Sequence, residues 1–218
     1  MPCRVPGDNE DLARDMTALL KTPCGTMGLR PVQALALHDI GVAGGLFGPI
    51  RVGGGKTLIS LLAPYILESR SPLLLLPAAL IDKTQRDLRE LSKHWRIPRN
   101  IRMLSYEMLG RVQSAGTFAH YPPDLIVADE AHRLKNKKAG VTRRVVRFMK
   151  EHPKTHFVAI SGTIMSRSIR DFAHIIRWCL PKGAPVPITE GEVEEWGDAL
   201  DERVNPLKRS DPGALLTL

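Results

Sequence analysis

Five short apolar or apolar-leaning runs, separated by stretches with helical spacing, leave this chain few folds to choose from. Pro72 to Leu76 is four leucines after a proline, and Leu125 to Ala128 reads Leu-Ile-Val-Ala. Neither run alternates polar with apolar residues. A strand without alternation is covered on both faces, and a parallel sheet with helices on either side provides that cover. Phe47 to Val52, Ile101 to Leu104 and Phe157 to Ile160 complete an expected set of five strands. The spacing predicts helices over Asn9–Lys21, from Pro31 to about Ile40, and over Leu58–Leu67, Ile81–Trp95, Val141–Glu151 and Ser168–Leu180. Leu12, Met16, Leu19 and Leu20 fall on one face of the first. Leu88, Leu91 and Trp95 read as core on the fourth, and Phe172, Ile175, Ile176 and Cys179 on the last. The expected class is α/β, with a mostly parallel sheet flanked by helices.

The run Leu125–Ala128 stops abruptly at two adjacent acids, Asp129 and Glu130. Paired carboxylates at a buried strand's tip suit a metal-nucleotide site: one can hold Mg²⁺, the other can orient or deprotonate a water. The same pair could be a solvated strand end, so an upstream phosphate loop decides between the two. Residues 53–57 read Gly-Gly-Gly-Lys-Thr, ahead of a helical pattern. Gly53, Gly54 and Gly55 can turn backbone N–H groups toward a polyphosphate without Cβ clashes. The helix start adds its positive dipole end. Lys56 can reach terminal phosphates, and the Thr57 hydroxyl can bind Mg²⁺. The strict form of the loop has glycine five residues before the lysine, where this chain has Ile50.

Bulk properties narrow the setting. The chain has 218 residues and ordinary hydrophobic content, enough for one good-sized core plus a tail. No apolar run reaches membrane-spanning length, and the segment 73–81 is broken by Pro77. Asp8, Glu10 and Asp11 stand where a signal peptide would need an apolar core. Cys3, Cys24 and Cys179 make neither a disulfide framework nor a zinc pattern, so a reducing cytoplasm is the expected compartment. Net charge is +8, and the excess is local: nine cations lie between Arg133 and Lys154 against the single acid Glu151. That stretch reads either as a solvated helix face or as a salt-sensitive contact surface for a phosphate backbone.

Several ordered motifs between residues 28 and 180 resemble the first RecA-like lobe of superfamily 2 helicases, most closely the Swi/Snf-type double-stranded DNA translocases. Gly28-Leu29-Arg30-Pro31-Val32-Gln33 is similar to the family's Q-type motif. Gly53 to Thr57 is similar to motif I, and Leu73 to Leu80 to motif Ia. Ser105-Tyr106-Glu107-Met108-Leu109 resembles a Thr-Tyr-Glu-x-Leu segment. Asp129-Glu130-Ala131-His132 resembles motif II, and its continuation Arg133-Leu134-Lys135-Asn136 points to the Swi/Snf branch. Ser161-Gly162-Thr163 resembles motif III.

The resemblance implies roles. ATP and Mg²⁺ are the expected cofactors. Lys56 would bind phosphates, Thr57 and Asp129 would hold Mg²⁺, and Glu130 would position the attacking water. Arg30 and Gln33 would lie on the nucleotide, with Gln33 reading adenine. His132, Ser161, Gly162 and Thr163 would couple the nucleotide site to the nucleic-acid site. Pro77, Ala78, Ser105 and Tyr106 would approach a nucleic-acid backbone. The bland alternatives are a satisfied histidine at 132, a solvated glutamine at 33, and helix caps at Ser161 and Thr163.

The expected partners are a nucleic acid, with double-stranded DNA preferred and RNA the open alternative, and a second RecA-like lobe. Residues 1–27 read as a helical extension, 28–180 as the ATP-binding lobe and 181–218 as a linker with a short helix. Pro181, Gly183, Pro185 and Pro187 mark the linker. Thr189 and Glu192 make a capping-box pattern before an acidic helix over Glu192–Val204. Nothing after Leu180 resembles the arginine-bearing second lobe, so the chain is expected to be half of a larger machine. Motif III is normally followed by proline or alanine, and here the residue is Ile164. A DNA-clamping module that does not use nucleotide is the competing reading. A P-loop kinase is disfavoured by the string His132 to Asn136.

Overall fold

All five expected strands join one sheet in which every pairing is parallel. The computed structural model describes residues 9–111, 116–162, 168–187 and 189–200. The strands are β1 (Gly45–Pro49), β2 (Pro72–Leu76), β3 (Arg102–Ser105), β4 (Leu125–Asp129) and β5 (His156–Ser161). Their order across the sheet is β1-β5-β4-β2-β3. β4 is central, with Val127 beside Leu74 on one side and Val158 on the other. Every residue of β2 and β4 is buried, as their unbroken apolar runs require.

Alternate residues of these strands serve two cores. Leu125 and Val127 face a cluster with Leu74, Leu76, Val158 and Ile160, covered by α1 (Asn9–Leu20), α2 (Pro31–Ala43), α3 (Lys56–Ile66) and α4 (Ile81–Leu91). Ile126 and Ala128 face the opposite cluster with Leu73, Leu75, Phe157 and Ala159. The cover there is α5 (Tyr106–Gly110), α6 (Thr117–His120), α7 (Gly140–Glu151) and α8 (Ala173–Cys179). Each fully buried leucine, isoleucine or phenylalanine contributes about 1.5–3 kcal/mol of transfer free energy. Parallel pairing sends every crossover through a helix or loop, so the five strand C-termini open on one rim, where ligands bind in open α/β sheets.

The boundaries differ from expectation in instructive places. β1 starts at Gly45 and ends at Pro49, earlier than Phe47–Val52. A Cβ on Gly45 would lie 2.1 Å from the Cys179 carbonyl oxygen and 2.6 Å from that of Phe157, so only glycine lets the strand begin there. Pro49 is tolerated because β1 is an edge strand. β3 is displaced by one residue, to Arg102–Ser105. The helix from Ile81 stops at Leu91, and Trp95 reaches the core through a turn and a bridge to Lys21. The helix expected from Ser168 is a 3₁₀ turn, Ile169–Asp171, followed by α8. Leu19, placed with the core face, is 56% exposed; α1 buries Ala13, Met16 and Leu20 and packs the partly buried Leu12 against the same core. The short helix α5 had no periodic signal.

The acidic helix α9 runs Glu190–Leu200, and its capping box forms: Thr189 Oγ1 accepts from the Glu192 N–H at 3.2 Å. The expected continuation to Val204 lies outside the described residues. No described helix is long and apolar enough to cross a membrane.

Candidate functional site

The glycine loop sits between β1 and α3, and its backbone needs its glycines. Gly53 and Gly55 have φ of 81° and 79°, a region that side chains rarely adopt. Gly54 answers to Ile50 instead. Ile50 is buried, and a Cβ on Gly54 would stand 2.6 Å from its Cγ2. The loop therefore accommodates the bulky residue at the usual glycine position by leaving its own middle residue bare.

Arg30 and Gln33 brace this loop from the start of α2. Arg30 donates to the Gly53 carbonyl at 2.6 Å. Gln33 is 6% exposed; its Oε1 accepts from the Arg30 N–H at 2.8 Å and its Nε2 reaches the Gly55 carbonyl at 3.4 Å. The solvated-glutamine alternative is thereby ruled out.

Asp129 and Glu130 end β4 on the same rim. Glu130 has φ 55° and ψ 49°, a left-handed conformation costing a non-glycine residue about 1–2 kcal/mol. The turn carries the Glu130 carboxylate to Lys56, with Nζ 2.8 Å from Oε1. The Ser161 hydroxyl, at the end of β5, donates to Oε2 at 3.1 Å. His132 Nδ1 lies 3.0 Å from that hydroxyl and 3.3 Å from Glu130 Oε2. A Cβ on Gly162 would be 3.5 Å from Lys56 Nζ, which shows how closely the β5 end approaches the lysine. The loops after β1, β4 and β5 thus meet at one carboxylate.

The two acids are tuned in opposite directions. Burial raises the Asp129 carboxyl, and the neighbouring Glu130 charge adds to that; Lys56 only partly offsets them. Burial also opposes ionisation of Glu130, but the Lys56 hydrogen bond and charge, with Ser161 and His132, outweigh it and hold the carboxyl below its usual range. Environments that push two acids apart are a mark of divided roles.

The donor set fits a magnesium nucleotide. Thr57 stands in the first turn of α3 and Asp129 is a buried carboxyl that a cation would favour in its charged form. Mg²⁺ is commonly held by one or two protein oxygens together with substrate phosphates. No group of three or more His, Cys, Asp or Glu gathers among the described residues.

The residues expected at a nucleic acid divide. Ala78 is exposed, whereas Pro77 is buried. Ser105 is 1% exposed and caps α5, its Oγ accepting from the Met108 N–H at 3.0 Å. Tyr106 is 3% exposed and donates to the Asp129 carbonyl at 2.7 Å. Burial thus turns Ser105 and Tyr106 inward, away from a surface contact. Among the described residues, the Ser161 hydroxyl lies between Glu130 and His132. Thr163 lies outside the described residues.

Glu107 was not singled out as a site residue, yet it accepts from Arg133 at 2.8 Å and from the Ala78 N–H at 3.0 Å. Its sequence signal was its place as the glutamate of the segment that resembles Thr-Tyr-Glu-x-Leu.

No protein-family model and no curated protein matches the sequence. Among solved structures the fold is similar to the Sulfolobus solfataricus SWI2/SNF2 ATPase core in complex with dsDNA, with a TM-score of 0.62 and 18% sequence identity. The match covers 89% of this chain and 44% of that one, so the chain spans less than half the neighbour's length. At this identity the likeness is one of fold, and it agrees with the five-stranded parallel sheet: the chain folds as a RecA-like α/β lobe.

Proposed function

We propose that the chain is the ATP-binding lobe of a DNA-dependent ATPase of the helicase or translocase type, in the manner of the Swi/Snf branch. The observation that carries this reading is the convergence of Lys56, Glu130, Ser161 and His132 at one rim, within 3.3 Å of their neighbours. A stable structural salt bridge would not need a strained backbone at Glu130 or paired left-handed glycines at its partner loop.

The roles are those that the family resemblance implies, and the geometry of the rim supports them. The backbone N–H groups of Gly53 to Gly55 and the first turn of α3 receive the phosphates. Lys56 would neutralise phosphoryl charge, and Thr57 and Asp129 would hold Mg²⁺. When bound, Mg²⁺ supplies charge neutralisation across the phosphate oxygens. Glu130, kept ionised, orients water through its carboxylate. Ser161 and His132 hold that carboxylate in line, so a shift at the β5 end reaches the site directly. Arg30 and Gln33 act on the nucleotide through the loop that they brace. DNA is the proposed partner. The SWI2/SNF2 neighbour was solved with dsDNA, and Lys135, Lys138, Arg143, Arg147, Lys150 and Lys154 form an exposed basic surface on this chain.

Full activity requires a second RecA-like lobe, from a longer protein or another chain. Without arginine fingers the expected loss is roughly 10³–10⁵ in rate. Phosphate release from Mg-ATP tests this. The lobe alone turns over slowly, and Glu130→Gln removes the residual rate. Turnover close to that of a complete two-lobed enzyme, or a residual rate indifferent to Glu130→Gln, contradicts the reading.

A further inference from the structure

Tyr106 and Glu107 open α5 in the corner where the ends of β2, β3 and β4 meet. Tyr106 donates its hydroxyl to the Asp129 carbonyl at 2.7 Å, and both groups are buried. Glu107 uses both carboxylate oxygens: Oε1 accepts from Arg133 at 2.8 Å, and Oε2 accepts from the Ala78 N–H at 3.0 Å. Two consecutive residues therefore grip the segment Asp129–Arg133 at its first and last positions. The second of them also holds the turn that follows β2. Between the grips lies the left-handed backbone of Glu130, a conformation that persists only where its surroundings hold it. The Ser105 cap fixes the first turn of α5, and with it the direction of both side chains.

We propose that Tyr106 and Glu107 are positioning residues that link the carboxylate segment Asp129–Arg133 to the exposed turn at Ala78, so that a change at the Lys56–Glu130 pair is felt at Ala78. The link rests on the nucleotide reading given above. Its route is a sequence of shared hydrogen bonds. A polyphosphate entering the glycine loop competes with Glu130 for Lys56, whose Nζ is 2.8 Å from that carboxylate. As Glu130 adjusts, the Tyr106 hydroxyl restrains the Asp129 end, and displacement passes to the Arg133 end. Glu107 divides one carboxylate between Arg133 and the Ala78 N–H, so its reorientation alters the bond at Ala78. Glu107 and Arg133 are each 43% exposed at the side chain, so their ion pair contributes little to stability. Its consequence is geometric: it joins the tips of two strands through a third.

The test is a titration of the full ¹⁵N-labelled chain with Mg-ATP, following the amide resonances of Gly53 to Thr57 and of Ala78. In the wild type both sets shift with the same saturation curve. Glu107→Gln keeps an acceptor for the Ala78 N–H but removes the charge that holds Arg133, and Arg133→Met removes the other partner. Each leaves the loop shifts intact and reduces the Ala78 shift to the level of remote amides on α1. Arg133→Lys, which retains a cation for Glu107, restores the Ala78 response, as a merely structural role would not require. Tyr106→Phe also weakens it, by releasing the Asp129 end. An Ala78 response that survives both Glu107→Gln and Arg133→Met overturns the proposal. A silent Ala78 beside shifting loop amides overturns the link and leaves the nucleotide site standing. Loop amides that do not respond at all overturn the nucleotide reading, and the link with it.

Discussion

The rim at the ends of β1, β4 and β5 and the outer face of α7 are both charged, and they are built in opposite ways. In the rim, the Lys56 and Glu130 side chains are 12% and 25% exposed and meet at 2.8 Å. Their positions are set by strained or left-handed backbone at Gly53, Gly55 and Glu130. On α7, Arg143, Arg147 and Lys150 stand exposed along one side, while Val145, Phe148 and Met149 anchor the other in the core. A fixed, partly buried pair can discriminate one ligand geometry. An exposed row supplies only a field, screened by salt and indifferent to sequence. Rim substitutions should therefore act in near all-or-none fashion on one ligand, and α7 substitutions should be graded.

The largest expected effect breaks the rim. Glu130→Gln keeps the shape of the side chain and removes the charge that orients water. Hydrolysis should fall by about 10²–10³, the scale for losing one preorganised electrostatic contact in a transition state. Phosphate-release kinetics in the presence of a complementing second lobe would measure the loss, and ATP affinity should not fall. Equal losses in rate and affinity would mean that Glu130 only supports the fold.

Next is the joint between the two regions. His174, on α8, is 6% exposed, and its Nε2 is 2.9 Å from the Leu134 carbonyl just past the carboxylate segment. Burial lowers its pKa to about 4, with Lys137 and Arg177 pulling the same way and the Leu134 bond only partly opposing them. The unfolded histidine takes up its proton near pH 6.5, and the folded one does so only near 4. Stability is thus intact above about pH 6.5 and erodes as pH falls, by about 3 kcal/mol at pH 4. His174→Gln keeps a donor for Leu134 and should flatten this part of the acid-unfolding profile, as read by urea midpoints across pH. An unchanged profile would assign the acid loss elsewhere.

A smaller effect sharpens the role of the loop. Gly55→Ala places a methyl 2.0 Å from Gln33 Nε2 at a φ of 79°. Two penalties add there, so the variant should lose about 1–3 kcal/mol of stability and bind ATP more weakly. Gly53→Ala has the same φ problem but open space around it, and should lose less. The smallest effects lie on α7. Each of Arg143→Gln, Arg147→Gln and Lys150→Gln should reduce the salt slope of duplex binding by about 0.9 without altering ATP affinity. A single α7 variant that abolishes binding would erase the contrast between the two regions.

How much of this was legible depends on the length over which each feature was encoded. β2 and β4 were readable because unbroken apolar runs end at turns or acids. The glycine loop and the Asp129–Glu130 pair were readable because their chemistry is local in sequence. β1 was misjudged because the allowance that sets its start, the bare Cα of Gly45 against Cys179 and Phe157, is made across the sheet. The 3₁₀ turn at Ile169 and the five-residue helix α5 are too short for a period to emerge. Tyr106 looked like a surface contact because its burial comes from strand order, which no local pattern carries. Glu107 escaped for the same reason: its partners, Ala78 and Arg133, belong to two other strand ends.

The central claim is that the glycine loop and Lys56 bind a magnesium nucleotide. Calorimetric titration of Mg-ATP into the chain, beside Lys56→Ala of equal thermal stability, tests it most directly. The account predicts one saturable site in the wild type and affinity at least about tenfold weaker in the variant, the scale of a lost charge-assisted contact. Equal affinity in the two proteins, or no saturable binding in the wild type, would contradict it.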